Sequence, residues 1–290
     1  MRDHAFRIVN VFAESPLAGN PLCVFEDGSG LDTPTMQALA LQFNLSETTF
    51  VLPSATATAG VRIFTPTFEL PFAGHPTLGT AHVVRALRGA GDAVTLQMPA
   101  GTIPVRAVGD VWTLSANAPK HRAVDVARAD LAAMLGLDER DLAPDAVAPA
   151  LWVDTGAEQL MLPLASAEAV RRASPDAALI YRHGSNGTRA MCYVFAFAPD
   201  AAAGGEARAA TARFFFPKHG AVLEDPGTGS ACANLGGWLL ATGAPLPQRV
   251  AISQGDAVDR PCRLGLEVTT GHDILVSGRV IELGRGSIRL

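Results

Sequence analysis

Two stretches of this chain have a helix-forming pattern and almost no polar face. T-L-G-T-A-H-V-V-R-A-L at 77–87 is small or apolar nearly all round until Arg85, and A-C-A-N-L-G-G-W-L-L-A at 231–241 carries no charge. A helix that is apolar on every side is buried on every side. The rest of the chain has to supply the walls, and it is rich in short β-type runs at 6–12, 50–52, 61–64, 94–98, 103–108, 191–197, 212–216, 249–253, 264–268 and 274–280. Helical periodicity is confined to 35–43, 76–88, 126–135, 165–172 and 231–241. The pattern predicts an α+β fold rather than an alternating α/β sheet. Its economical form is two pseudo-symmetric domains, each a curled, mostly antiparallel sheet or barrel around one central helix.

An internal repeat points the same way. R-I-F-T-P at 62–66 returns as R-F-F-F-P at 213–217, and each is followed by a short loop, a glycine and one of the two apolar helices. At 290 residues the chain is near the size at which one core divides. The expected domains are 1–117 and 118–278, with the crossover in the Ala-, Asp- and Pro-rich stretch 116–150. Asn186-Gly187-Thr188 reads as a hairpin turn before the strand at Met191, and the Ala- and Gly-rich 199–209 as a mobile loop.

Composition removes several function classes. A formal net charge of −5 leaves no basic field for nucleic acid, and 48% hydrophobic with 18% charged residues excludes disorder. The longest apolar stretch, 191–199, is too short to span a bilayer, and M-R-D-H-A-F-R-I-V-N does not begin as a signal peptide does. A cytoplasmic protein with no membrane partner is expected. Cys23, Cys192, Cys232 and Cys262 are far apart, with no C-x-x-C and no histidine at ligand spacing, so no metal site and no disulfide framework are expected. Lys120 and Lys218 are the only lysines, and there is no P-loop, no strand-linked G-x-G-x-x-G, no H-E-x-x-H and no G-x-S-x-G. No cofactor is expected.

The chemistry-bearing candidates gather where the apolar helices begin. P-F-A-G-H-P-T places His75 as a cap and Pro76 at the first helical position, and E-D-P-G-T-G-S-A places Ser230 as a cap. If the halves face each other, two positive helix ends converge on one cleft that would hold a small carboxylate or a developing enolate. Glu47, in N-L-S-E-T-T-F-V-L, shares one face of an extended segment with Leu45, Thr49 and Val51. A carboxyl among apolar neighbours has a raised pKa and suits acid/base work near neutral pH. Taken singly, such a glutamate is mostly a solvated strand end, His75 and Ser230 are caps, and Asp225 before Pro226 is a turn residue. Arg260 reads either as a substrate-gating charge or as a solvated strand end.

At these residues the sequence resembles the PhzF-like (phenazine biosynthesis-like) family, which shares the fold of diaminopimelate epimerase. The resemblance is carried by F-R-I-V-N-V-F-A-E-S-P-L-A-G-N-P-L-C-V-F, N-L-S-E-T-T-F-V, R-I-F-T-P-T-F-E-L-P-F-A-G-H-P-T-L-G-T-A, E-D-P-G-T-G-S-A and S-Q-G-D-A-V-D-R-P, in the family's order. It implies an active site in a cleft between two domains, a last strand at 279–290 that completes the first domain, and a homodimer. It also implies that Glu47 moves a proton from one substrate carbon to another, with His75, Asp225 and Ser230 as the other catalytic positions. The backbone at Gly74 and Gly229 would bind the substrate carboxylate, and Asn20 and Ser46 would line the cleft. The related epimerases place one cysteine at the start of each central helix. Here those positions fall near Ala73 and near Asp225 or Pro226, which disfavours two-thiol epimerisation. Cys232, one step into its helix, reads as packed rather than reactive.

The resemblance implies a cofactor-independent isomerase acting on a small anionic carboxylate of the dihydro-hydroxyanthranilate type. An amino-acid racemase or epimerase, pairing Glu47 with Asp225 or His75, is the alternative enzyme. A small-ligand sensor or interaction module that kept the cleft without turnover is the alternative outside enzymes.

Overall fold

The structure, a computed structural model, describes residues 1–199 and 207–290. Most of the segment expected to be a mobile loop therefore lies outside the described residues, and its end, Arg208 and Ala209, already belongs to a strand. The chain forms two compact units, Met1–Ser115 with Ser277–Leu290, and Ala116–Val276. These divisions fall two residues before 117/118 and 278/279, because Ser115 ends a strand and the Ala116 N–H bonds to the Ile274 carbonyl.

The first unit holds β1 (Asp3–Val11), β2 (Asn20–Phe25), α1 (Thr33–Phe43), β3 (Glu47–Leu52), β4 (Ala59–Phe64), β5 (Glu69–Leu70), α2 (Gly74–Arg88), β6 (Ala93–Met98), β7 (Gly101–Val108) and β8 (Val111–Ser115). The second holds β9 (Lys120–Ala123), α3 (Arg128–Met134), β10 (Leu151–Asp154), β11 (Glu158–Pro163), α4 (Ala167–Arg172), α5 (Ala177–His183), β12 (Cys192–Phe197), β13 (Arg208–Lys218), β14 (Ala221–Asp225), α6 (Gly229–Ala241), β15 (Gln248–Gln254) and β16 (Cys262–Val268). The last strand, β17 (Ile274–Arg289), pairs antiparallel with β1 from Val11↔Val280 to Asp3↔Arg289.

Pairing in the first unit runs β1–β2 antiparallel, β2–β3 parallel, β3–β4 antiparallel, β4–β6 parallel, then β6–β7 and β7–β8 antiparallel. β17 pairs with both β8 and β1, so the eight strands close into a barrel. In the second unit the series repeats: β10–β11 antiparallel, β11–β12 parallel, β12–β13 antiparallel, β13–β15 parallel, β15–β16 antiparallel. The hairpins β4–β5 and β13–β14 fall at the same step. This shared order identifies the halves as copies and explains the short sequence echo. Arg62 binds Glu69 across the first hairpin at 2.6 Å and covers Phe64, and Arg213 binds Glu224 across the second at 2.7 Å and covers Phe215.

Each apolar helix fills its unit. α2 packs against β1, β2, β3, β6, β7 and β8 with Gly74–Ala81 buried, and α6 packs against β9, β10, β11 and β16 with Ala231–Leu239 buried. Close approach requires glycine at Gly79, where a Cβ would lie 2.7 Å from Leu22 Cδ2 and 2.9 Å from Val11 Cγ2. Gly79→Val should overpack this contact and cost about 1–3 kcal/mol, read as a lower urea midpoint at unchanged m value. An unchanged midpoint would show that the barrel can dilate around the helix.

Outside the first barrel, α1 lays Met36, Leu39 and Ala40 on Cys23, Phe25, Phe50 and Phe64, and Asp32 caps it by accepting from the Thr35 N–H at 2.9 Å. In the second unit α3, α4 and α5 cover an apolar layer around Trp152, Leu160 and Val194. α5 has no counterpart among the expected helices; Ile180 is its one buried residue, too weak a pattern to register, although Asp176 caps it. Asn186 closes the expected turn by accepting from the N–H groups of Thr188 and Arg189. All four cysteines are buried as free thiols, and burial pushes their pKa values up, Cys192 to about 12. Among the described residues no helix is long and apolar enough to cross a membrane, and no cluster of three His, Cys, Asp or Glu could hold a metal ion.

The helix starts differ from the sequence expectation. α2 and α6 begin one residue before His75 and Ser230, at Gly74 and Gly229, after the extended cap residues Ala73 and Thr228. Neither cap makes the usual side-chain bond: alanine has no acceptor, and the Thr228 hydroxyl accepts from Gln254 Nε2 while donating to Asp225. His75 and Ser230 are therefore second helical residues, and Pro76 is the third. By cap position, Ala73 of α2 corresponds to Thr228 of α6.

Candidate functional site

In the first unit, β3 presents alternate residues to the central helix. Thr49 Oγ1 meets Thr80 Oγ1 of α2 at 2.8 Å in the buried interior, while Phe50 points to the α1 layer. Two residues before Thr49 on the same face, Glu47 reaches the first turn of α2, with Oε2 3.5 Å from His75 Nδ1. The side chains are 17% and 6% exposed, so Glu47 is no solvated strand end.

Burial pushes the His75 pKa from 6.5 down to about 3, against the Pro21 carbonyl, which favours the charged ring. Near neutral pH the ring is uncharged, and its contact with Glu47 is not an ion pair. The Pro21 contact also brings the start of β2 to this place. Asn20, the residue before it, is fully buried opposite Val11 in the ladder. The turn into Asn20 needs Gly19, whose φ is +83° and whose Cβ would fall 2.6 Å from the Val11 carbonyl. Thus Glu47, Gly74, His75 and the Asn20–Pro21 segment meet at the N-terminal end of α2. Ser46 is exposed just before β3.

In the second unit, Asp225 ends β14 and Ser230 is the second residue of α6. Asp225 Oδ2 accepts from Thr228 Oγ1 at 2.5 Å. Gln254, buried at the end of β15, donates to Thr228 Oγ1 at 3.0 Å and to the Asp225 carbonyl at 2.9 Å. The turn after Gln254 requires Gly255 at φ +80°, where a Cβ would strike the carbonyls of Pro226 and Arg260. Ser230 Oγ accepts from Gln159 Nε2 at 2.9 Å, and Gln159 is held in turn by Asn234 of α6. Thr228, Gln254, Gln159 and Asn234 were absent from the sequence-based candidates. Asn234 carried the clearest signal, as the lone amide in an otherwise apolar helix, and Gln254 lies inside S-Q-G-D.

Residues 9–285 match the sequence profile of the family described as phenazine biosynthesis-like protein, PhzC-PhzF. The chain belongs to this PhzF family. A PhzF-family relative from Pasteurella multocida, named an uncharacterized isomerase, is 40% identical over 98% of this chain and 94% of its own. The trans-2,3-dihydro-3-hydroxyanthranilate isomerase of Pseudomonas aeruginosa is 36% identical over 90% of this chain and 89% of its own. Among solved structures, a PhzF-family protein of Bacillus anthracis superposes with a TM-score of 0.87 over the whole of both chains at 22% identity, which establishes the shared fold. This PhzF-family chain is thus an enzyme of the isomerase class with a two-unit α+β fold.

Proposed function

We propose that this chain is a cofactor-independent isomerase that moves a proton between two carbons of a small carboxylate. A cyclic dihydro-aromatic amino acid of the trans-2,3-dihydro-3-hydroxyanthranilate type is the substrate class, by analogy with the Pseudomonas aeruginosa relative. The observation that carries this reading is the Glu47–His75 contact: one carboxyl group beside a buried, uncharged imidazole at the positive end of a helix. As carboxylate, Glu47 takes a proton from a carbon next to the unsaturated system. The electron pair left behind shifts through that system, and Glu47, now the acid, returns the proton to the distant carbon. Nothing is oxidised or reduced, and one group serves as base and then acid. The amide ends of α2 stabilise the charge while it is spread, and Asp225 and Ser230 hold polar groups of the substrate.

The racemase alternative needs a second base. An imidazole whose conjugate acid has a pKa of about 3 is a weak one, which leaves Asp225 as the base that reading requires.

The test is proton NMR in deuterium oxide on trans-2,3-dihydro-3-hydroxyanthranilate and a panel of small amino and hydroxy carboxylates. Double-bond migration with deuterium at the accepting carbon supports the proposal. Inversion with deuterium at the α-carbon would replace it with the racemase, and binding without exchange by any member of the panel would replace it with the sensor.

A further inference from the structure

We propose that Gln159 and Asn234 are positioning residues that lock the Ser230 hydroxyl as a hydrogen-bond donor directed away from the protein interior, toward a carboxylate ligand. The ligand half of this assignment rests on the proposed function; the lock itself follows from hydrogen-bond polarity inside the second unit.

Two backbone groups fix the direction of the chain. The Thr155 N–H can only donate, and it donates to Asn234 at 2.9 Å, so the atom it meets is the amide oxygen, Oδ1. The Ala157 carbonyl can only accept, and it takes a bond from the other arm of the same amide at 2.9 Å, so that arm is Nδ2. Asn234 therefore has one orientation. Its Nδ2 also donates at 2.8 Å to Gln159, which makes the facing atom Oε1 and turns Nε2 toward Ser230. Nε2 has only protons to offer, so Ser230 Oγ accepts at 2.9 Å and its own proton must point elsewhere.

The surroundings raise the value of this order. Asn234, Gln159 and Thr155 are 0%, 3% and 6% exposed, so a flipped amide would leave donors facing donors out of reach of water. Ser230 is only half-buried, at the one end of the network that a ligand can reach. A hydroxyl otherwise rotates between donor and acceptor roles, and an anion rewards only the donor. A serine held in that role beforehand need not be reordered on binding.

Neutron diffraction from deuterated crystals tests the lock without reference to activity. The expected result is a deuteron on Ser230 Oγ directed away from Gln159, with both Gln159 deuterons on the arm facing Ser230. A Ser230 deuteron pointing at Gln159 would overturn the assignment whatever the protein catalyses.

The ligand half is tested by titration calorimetry with 3-hydroxyanthranilate, an aromatic carboxylate, on wild type, Gln159→Met, Ser230→Ala and the double variant. Gln159→Met keeps length and removes the donor, and should weaken binding about two- to tenfold. On the Ser230→Ala background it should change nothing, since its effect passes through that hydroxyl. An equal loss on both backgrounds would make Gln159 a merely structural residue. Wild type that fails to bind the probe while exchanging deuterium into another carboxylate would overturn the ligand class alone. Wild type that neither binds nor exchanges would sink the proposed function, with the neutron result still deciding the lock.

Discussion

Glu47→Gln should lower turnover of a true substrate by about 10²–10⁴-fold while leaving its binding nearly intact. The amide has the size of the carboxyl and still reaches His75, but it can neither take the proton nor return it. The loss should appear in kcat and kcat/KM together, as for an interaction made only in the transition state. Deuterium exchange should fall in parallel, because abstraction is the first step. Full exchange with lost product would instead place Glu47 in the return step alone, and unchanged turnover would remove it from the mechanism. Glu47→Asp retracts the same group by one methylene and should recover part of the rate, a rescue that a purely structural role does not predict.

His75 should make the protein sensitive to acid well above the range in which carboxylates titrate. Its pKa lies near 3 in the folded chain and near 6.5 when exposed. Between these values the unfolded chain takes up a proton that the folded chain refuses, so stability is complete above pH 6.5 and falls as the pH drops toward 3. The loss from this one group between pH 7 and pH 4 is roughly 3 kcal/mol. In His75→Gln that part of the slope should vanish, so the two urea midpoints converge on acidification. Asp27, Asp141 and Glu282, whose pKa values are lowered by hydrogen bonds and nearby arginines, lose stability in acid as well, but equally in both proteins. Parallel midpoint curves down to pH 4 would show that the imidazole is hydrated in the folded state.

The α+β architecture was legible because burial leaves a simple mark. A helix with no polar face has to be enclosed, and a duplicated Arg-x-Phe on matching hairpins survives as a visible echo of the copying. β2, β5, β8, β9, β10, β11 and β14 were not read from the sequence: β5 has only two residues, β9 is exposed throughout, and β2 and β11 are buried on both faces, so these four show no alternation. The caps were misplaced for a local reason: His75 and Ser230 are good cap residues by type, but the glycine before each already begins the helix. Glu47 and His75 were visible singly, and only the register of β3 against α2 reveals their contact. Gln159 and Asn234 are 75 residues apart, and nothing about either amide says which partner it will meet.

The route of the chain through its two units also orders its synthesis. Residues 116–276 are contiguous and can settle while translation continues, whereas the first barrel stays open between β1 and β8 until β17 has left the ribosome. Until then Arg7 lacks Glu282, one of the two carboxylates that neutralise its nearly buried guanidinium. The nascent first unit, though made first, is completed last. It carries two unpaired strand edges for the time it takes to make the entire second unit.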